Sequence, residues 1–217
     1  FIDIKTSAAF AAASAVAVAG AVKGARRQLS EQSAPLAGLT AVFIFAVQML
    51  NFPVAAGTSG HLIGAALAMV LVGPYAATLA LVVVLIIQAF LFADGGLTAL
   101  GLSIFNMAVI SVWVSFAVFI LMKKIFPKTK SWLVIATFVS ALISVPAAAG
   151  GFVIQYAIGA NATFSVGAVL NAMVGTHIII GIGEAIITAL TVSAVLASRS
   201  DLVFGWDRKN TTLEIRS

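Results

Sequence analysis

The sequence predicts an all-α polytopic membrane protein, and three observations lead to that prediction. Hydrophobic residues make up 62% of the 217 residues and charged residues only 9%, whereas soluble domains carry roughly 25% charged residues. The apolar runs are long and continuous, unlike the alternating segments of about ten residues in a β-barrel. The basic residues cluster at the ends of these runs, as in cytoplasmic loops, so the net charge of +5 does not imply nucleic acid.

Two apolar runs occupy the amino-terminal part. Residues 6–22 are almost all Ala, Val and Ser, with alanines at positions 9, 13, 17 and 21. Small residues at four-residue spacing let helices approach closely, either inside the protein or against another subunit. The second run covers residues 35–52. No cleavable signal is expected, because no charged segment precedes the first run.

The stretch of residues 48–64, QMLNFPVAAGTSGHLIG, is the densest cluster of polar and backbone-bending residues in the first half of the chain. It ends on His61, which opens the next apolar run. Imidazole is the commonest metal ligand, so this arrangement predicts a small metal site at His61. The alternative is a histidine whose hydrogen bond anchors the glycine-rich turn.

The remaining runs predict five further helices. Residues 61–92 are interpreted as two helices separated at Gly73–Pro74, because one helix of that length would span about 48 Å, against a hydrocarbon core of about 30 Å. The next spans are residues 99–122 and 131–158. Residues 164–175 are expected to be an irregular or re-entrant lead-in, followed by a last span at 176–198.

The placement of lysine and arginine predicts the topology. Eleven of the twelve basic residues lie at 23–27, 123–130 and 199–216, and the positive-inside rule assigns all three clusters to the cytoplasm. The result is seven transmembrane helices with the amino end outside and the carboxyl end inside. A single transmembrane domain, residues 1–198, and a cytoplasmic tail, residues 199–217, are expected in a multi-pass protein of the cell's inner (plasma) membrane.

Polar side chains within the predicted spans are costly and therefore mark candidate functional positions. His177 and Glu184 are seven residues apart and share a helix face, where they form either a proton relay or a structural network that holds loops. Asp94, beside two glycines, is typical of a turn. The residues expected to support the site or position its loops are Gln48, Asn51, Thr58, Ser59, Gln88, Asp94, Asn106, His177 and Glu184.

The chain has no motif for ATP hydrolysis and no catalytic constellation. With two histidines and no cysteine, it cannot surround a transition metal with side chains of the usual kinds. Further nitrogen ligands from the backbone or an amino terminus are therefore expected. Planar nitrogen sites suit Ni(II) or Cu(II), and by extension low-spin Co(II).

Four segments resemble the CbiM/NikM family, and its cobalt-type members most: QMLNFPVAAGTSGHLIGAALA, GPYAATLALVVVLIIQAFLFADGGLTALG, FNMAV and HIIIGIGEAIITAL. Members of this family are substrate-capture (S) components of energy-coupling-factor (ECF) transporters, a type of ABC transporter, for cobalt and nickel. The resemblance implies capture of Co(II) or Ni(II) for ATP-driven import that supplies cobalamin biosynthesis, with no permanently bound cofactor. The implied partners are a transmembrane T subunit, ATPase subunits, a small auxiliary membrane protein and the lipid bilayer.

The resemblance also implies a ligand set. Family members typically begin Met-His-x-Pro-Asp-Gly, and the present sequence starts at the Phe that follows this six-residue head. In the family, the head inserts into the bundle and supplies the terminal amine, a backbone nitrogen and an imidazole. The histidine of the GTSGHLIG motif, here His61, completes the square plane.

Two other functions remain open from the residues alone. One is a self-sufficient cation channel or secondary carrier, although Glu184 is the only carboxylate well inside a predicted span. The other is a membrane-embedded enzyme that uses His61 or His177 as a base.

Overall fold

The computed structural model describes residues 1–28, 33–54, 59–92 and 95–206, and these residues form a helical bundle with one short hairpin. The elements, in chain order, are α1 (Ile4–Gln28), α2 (Ser33–Gln48), β1 (Asn51–Pro53), β2 (Ser59–His61), α3 (Ala65–Val72), α4 (Pro74–Leu91), α5 (Leu100–Ser103), a π-helix (Ile104–Ile110), α6 (Ser111–Ile125), α7 (Lys130–Gly159), α8 (Val166–Ser198) and a 3-10 turn (Ser200–Leu202). The predicted helical membrane architecture is confirmed, and the hairpin is an addition to it.

The predicted break at Gly73–Pro74 is confirmed. Gly73 has φ 82° and follows the last residue of α3, while Pro74 begins α4. Proline is suited to this first helical position, because its missing N–H would have no partner inside the helix. Helix α3 begins at Ala65, so it is only eight residues long, or about 12 Å. Every residue of α3 is buried, and α3 therefore forms the centre of the bundle.

The glycine-rich turn before His61 is part of an antiparallel hairpin. Strand β1 pairs with β2 in a register that places Asn51 opposite His61 and Phe52 opposite Gly60. Three-residue strands pair only weakly on their own. The hairpin therefore depends on the surrounding helices, and its second strand leads directly into α3.

The expected irregular lead-in at residues 164–175 is wrong. Helix α8 runs without interruption from Val166 to Ser198, and the Ser165 hydroxyl caps its first turn by accepting the N–H of Ala168 at 3.2 Å. The lead-in was expected because the topology allows this long last segment only one crossing. Gly167 and Gly175 both lie within the helix, and glycine is tolerated within membrane helices. Packing against α7 over most of its length stabilises α8 as one helix.

Among the described residues, five helices are long and apolar enough to cross a membrane: 4–27, 74–91, 100–125, 130–159 and 166–198. Helix α2, with 16 residues, is shorter. Helix α3 is shorter still, at less than half the thickness of a hydrocarbon core of about 30 Å. The chain is a multi-pass membrane protein, and the predicted total of seven spans stays a prediction.

The described basic clusters gather at one end of the bundle. Helix α7 starts there with Lys130, whose ammonium lies 6.0 Å from the ring centre of Trp206. Lys123, near the end of α6, donates a hydrogen bond to the carbonyl of Gly205 at 2.8 Å. The other end of α7 contacts the first residues of the chain, since the N–H of Asp3 bonds to the carbonyl of Gly159 at 2.8 Å. The two ends of α7 therefore define a basic end and an opposite end of the molecule.

Candidate metal-capture site

A cavity of about 910 Å³ lies toward the end opposite the basic clusters. Its wall combines the start of α1, strand β2, the end of α4, the segment from Gly95 through the π-helix, and parts of α7 and α8. The polar side chains on the wall belong to Ser7, His61, Gln88, Thr98, Ser103, Asn106, Asn161 and His177. The described wall includes no carboxylate, so its side chains offer a cation only uncharged nitrogen and oxygen ligands.

His61 lies on the cavity wall with one ring nitrogen already engaged. Its Nδ1 is 2.8 Å from the carbonyl oxygen of Leu62. A carbonyl can only accept, so Nδ1 carries the hydrogen and Nε2 keeps a lone pair in the neutral ring. Metal-binding histidines commonly donate their other ring N–H to a backbone carbonyl in this way. The geometry therefore leaves Nε2 of His61 available as a ligand.

The three residues between His61 and α3 have no secondary structure, and side chains of two helices bind their backbone. The Glu184 carboxyl group, on α8, accepts the N–H of Ile63 at 2.5 Å and the N–H of Gly64 at 3.0 Å. Gln48, on α2, donates to the carbonyl of Ile63 at 2.7 Å. Buried irregular backbone requires such partners, because unpaired polar groups are costly in a membrane.

Gly64 is the hinge of this segment. Its φ of 77° lies in the left-handed region, and an added Cβ would approach Cγ1 of Ile44 to 2.8 Å. Glycine alone adopts this conformation without strain. The glycine therefore allows the extended segment to turn into α3 while it packs against α2.

His177 is a second imidazole on the cavity wall. Its Nδ1 is 2.7 Å from the carbonyl of Met173, one turn earlier in α8, so its Nε2 also keeps a lone pair. A Cβ added to Gly60 would lie 3.2 Å from this Nε2. The backbone of β2 therefore packs closely on the reactive edge of His177, and the two histidines of the chain line one cavity.

Buried amides form a second polar group, with Gln88 and Asn106 on the cavity wall and Gln155 behind it. Nδ2 of Asn106 donates to Oε1 of Gln155 at 2.8 Å, and Nε2 of Gln155 donates back to Oδ1 of Asn106 at 3.0 Å. Sequence reasoning missed Gln155, which stands 49 positions away from its partner. Gln88 is only 2% exposed, and its Nε2 has no hydrogen-bond partner within the described residues. The Nε2 amide of Gln88 is therefore available to donate a hydrogen bond to a molecule bound in the cavity.

The first residues of the chain are fixed at the cavity. The carbonyl of Phe1 accepts the N–H of Asn161 at 2.9 Å, and Ile2 forms a β-bridge with Ala160. Asp3 caps α1, since its carboxylate accepts N–H groups of Lys5 and Thr6 and the Thr6 hydroxyl. The hydrogen bonds from Thr6 lower the pKa of Asp3 below its usual value. The cavity wall includes Phe1 and Ile2.

The structure places the sequence-predicted residues in different surroundings. His61, Gln88, Asn106 and His177 line the cavity, whereas Gln48 and Glu184 lie behind it and contact the segment that follows His61. Asn51 is exposed, and Ser59 contributes its backbone to β2. Thr58 and Asp94 lie outside the described residues.

Together, the bundle and the cavity define a multi-pass membrane protein with a ligand-sized chamber near one end. The family model described as cobalt uptake substrate-specific transmembrane region, CbiM, matches residues 1–202. The chain belongs to this family, and it is a membrane component of cobalt and nickel transport of the CbiM/NikM type. The predicted family is thereby confirmed. Its members are transport components and not enzymes, as expected from the sequence.

Individual relatives agree with this assignment. A putative metal transport protein of Haloquadratum walsbyi is 36% identical over 206 residues, which cover 94% of the present chain and 91% of that protein. A putative fused nickel transport protein NikMN of Archaeoglobus fulgidus is 40% identical over 168 residues, 77% of the present chain and 55% of the relative. The crystal structure of a truncated transition metal transporter has 31% identity and a TM-score of 0.83, covering 90% of this chain and 95% of that one.

Proposed function

We propose that this chain captures Co(II) or Ni(II) in the cavity and presents it for ATP-driven import by an ECF-type transporter. The observation that carries the proposal is the hydrogen bonding of His61. Its Nδ1 donates to the Leu62 carbonyl, so the lone pair of its Nε2 is left available to a metal on the cavity wall. Cobalt supplied in this way would serve cobalamin biosynthesis. ATP hydrolysis would belong to partner subunits that act with a transmembrane T subunit and a small auxiliary membrane protein.

The remaining ligands are proposed to come from a Met-His head that precedes Phe1. Phe1 lines the same cavity as His61, so a segment attached to it would start at the chamber. Three or more metal-ligating side chains do not converge anywhere in the described part of the chain. A terminal amine, a backbone nitrogen and a second imidazole would supply what the wall lacks. A deprotonated backbone nitrogen would also bring negative charge to a wall of neutral donors.

The amides are proposed to orient that head. Gln88 has an unpaired donor among the described residues, and Asn106 is held in place by Gln155. Groups that orient metal ligands typically change metal affinity by 10- to 100-fold when they are removed. The position of Gln88 and Asn106 on the cavity wall supports this role. The proposal does not require either amide to contact the metal.

Isothermal titration of Co(II) or Ni(II) into the protein carrying its native amino end tests the proposal. His61→Ala is expected to abolish high-affinity binding without unfolding the protein. Thr191→Ala serves as the control, because Thr191 lies on α8 away from the cavity and bonds to its own helix. Unchanged affinity in His61→Ala would remove His61 from the site.

A transport assay separates capture from self-sufficient movement of the ion. Cobalt uptake into vesicles is expected only when the T and ATPase subunits are present with ATP. Uptake by this chain alone, driven by an ion gradient, would favour the channel or secondary carrier.

A further inference from the structure

We infer that Glu184 is a positioning residue for metal capture: it holds the segment Leu62, Ile63 and Gly64, here termed the His61 strap, and through it the imidazole of His61. The inference rests on the proposed function. In this role the Glu184 carboxylate neither binds the metal nor transfers a proton. It controls where Nε2 of His61 lies.

The strap is bonded on both of its edges. Glu184 accepts two consecutive N–H groups, from Ile63 and Gly64, and Gln48 binds the Ile63 carbonyl between them. Glu184 is 3% exposed and Gln48 is fully buried, so neither side chain exchanges these bonds freely with water. Helices α2 and α8 therefore fix the strap from separate directions.

The strap in turn fixes the imidazole. Nδ1 of His61 donates to the carbonyl of Leu62, the first residue of the strap. Movement of Leu62 would thus change both the direction of Nε2 and the hydrogen bond that selects its tautomer. Gly64 continues into buried α3, whose N–H groups at this end carry a partial positive charge that favours the Glu184 oxygens.

Glu184 does not line the cavity, which distinguishes positioning from ligation. The cavity wall includes His61 and His177, while Glu184 lies one layer behind, beside Ile44 and Leu67 in a small separate pocket. Ile63 of the strap also lines the cavity, but a metal bound to Nε2 of His61 would be linked to Glu184 only through the ring and the strap.

Nickel titration of the full-length protein with its native amino end tests the inference through two quantities, the Kd and the stoichiometry. Glu184→Ala is expected to raise the Kd for Ni(II) by about 10- to 100-fold. Glu184→Gln should raise it less, because its single side-chain oxygen can still accept one of the two N–H groups. The stoichiometry should remain that of the wild-type protein. Thr188→Val, an equally buried change one turn further along α8, should leave both quantities unchanged.

A purely structural role for Glu184 predicts a different result. Misfolded molecules would lower the stoichiometry while the folded fraction kept the wild-type Kd, and that outcome would overturn the inference. Gln48→Met, nearly equal in size, provides a second route if the Glu184 variants do not fold, and a wild-type Kd in this variant would equally overturn it.

Hydrogen exchange of the unaltered protein adds a measurement that needs no variant. The N–H groups of Ile63 and Gly64 should exchange slowly, and rapid exchange of both would contradict the strap. Absence of Ni(II) and Co(II) binding to the wild-type protein would instead count against the proposed function itself.

Discussion

The side-chain amides of Asn106 and Gln155 bond to each other in both directions, at 2.8 and 3.0 Å, across the interface between the π-helix and α7. Each amide thereby satisfies one donor and one acceptor of the other. Both residues are buried, Gln155 completely. The π-helix places Asn106 where Gly151 leaves room for it, since a Cβ on that glycine would approach Oδ1 of Asn106 to 2.6 Å.

This pair predicts that substitutions of Asn106 and Gln155 do not have additive effects on the free energy of unfolding. Asn106→Leu or Gln155→Leu alone should destabilise the protein by about 1–3 kcal/mol, because the surviving amide loses its partner. The double substitution should cost less than the sum of the single ones, with a coupling energy of about 1 kcal/mol. Reversible unfolding in detergent measures all three variants, and additive effects would show that the two amides act independently.

The topology predicts which end of the bundle faces the cytoplasm. The basic residues of α6 and α7 lie at the end opposite the cavity, so the positive-inside rule places the cavity on the outer side. The chain has no cysteine, which makes single-cysteine labelling direct. Thr163→Cys, near the cavity end, should react with an external impermeant reagent, whereas Lys128→Cys should react only after permeabilisation. External labelling of Lys128→Cys would reverse the orientation.

The alanine face of α1 predicts a contact with the proposed T subunit. Ala9 and Ala13 are exposed and Ala17 is half-buried, while Ala21 is packed inside the protein. Ala13→Leu with Ala17→Leu should reduce co-purification with the T subunit, because the larger side chains prevent close helix approach.

Ala15→Leu with Ala19→Leu is the matched control for this experiment. Both positions are exposed and lie on the opposite face of α1. If the amount of T subunit that co-purifies is the same for this control and for the Ala13→Leu, Ala17→Leu variant, the alanine face is not the contact.

The cap at Asp3 predicts a pH dependence at the amino end. Because folding lowers the pKa of this carboxyl group, its contribution to stability is present above the unfolded pKa and is lost as pH falls through the folded value. Asp3→Asn should therefore speed hydrogen exchange of residues 1–8 at neutral pH.

The same comparison in acid supplies the check. Below the folded pKa, wild type and Asp3→Asn should exchange alike, since both then carry a neutral side chain. Lys5→Gln, which keeps the cap, should resemble the wild type at neutral pH. A difference between Asp3→Asn and wild type that persists unchanged in acid would contradict the explanation.

Much of the fold follows from local sequence features. Continuous apolar runs gave the helices, and Gly73–Pro74 marked a true boundary, because proline and a left-handed glycine act on their own neighbours whatever packs around them. The start of α8 did not follow in this way, because the expected lead-in at 164–175 depended on a count of membrane crossings and not on a local signal. The Ser165 cap and packing on α7 instead stabilise one helix from Val166.

The sequence by itself determined the membrane class, the family and the position of His61 after a glycine-rich turn. Only the tertiary structure decided which groups surround that histidine. Glu184 stands 121 and 120 positions from the N–H groups it accepts, and Phe1 meets Asn161 at the cavity. Such pairs depend on how whole helices pack. Periodicity along one helix shows which residues share a face, but the side chain opposite that face is set by the arrangement of the bundle.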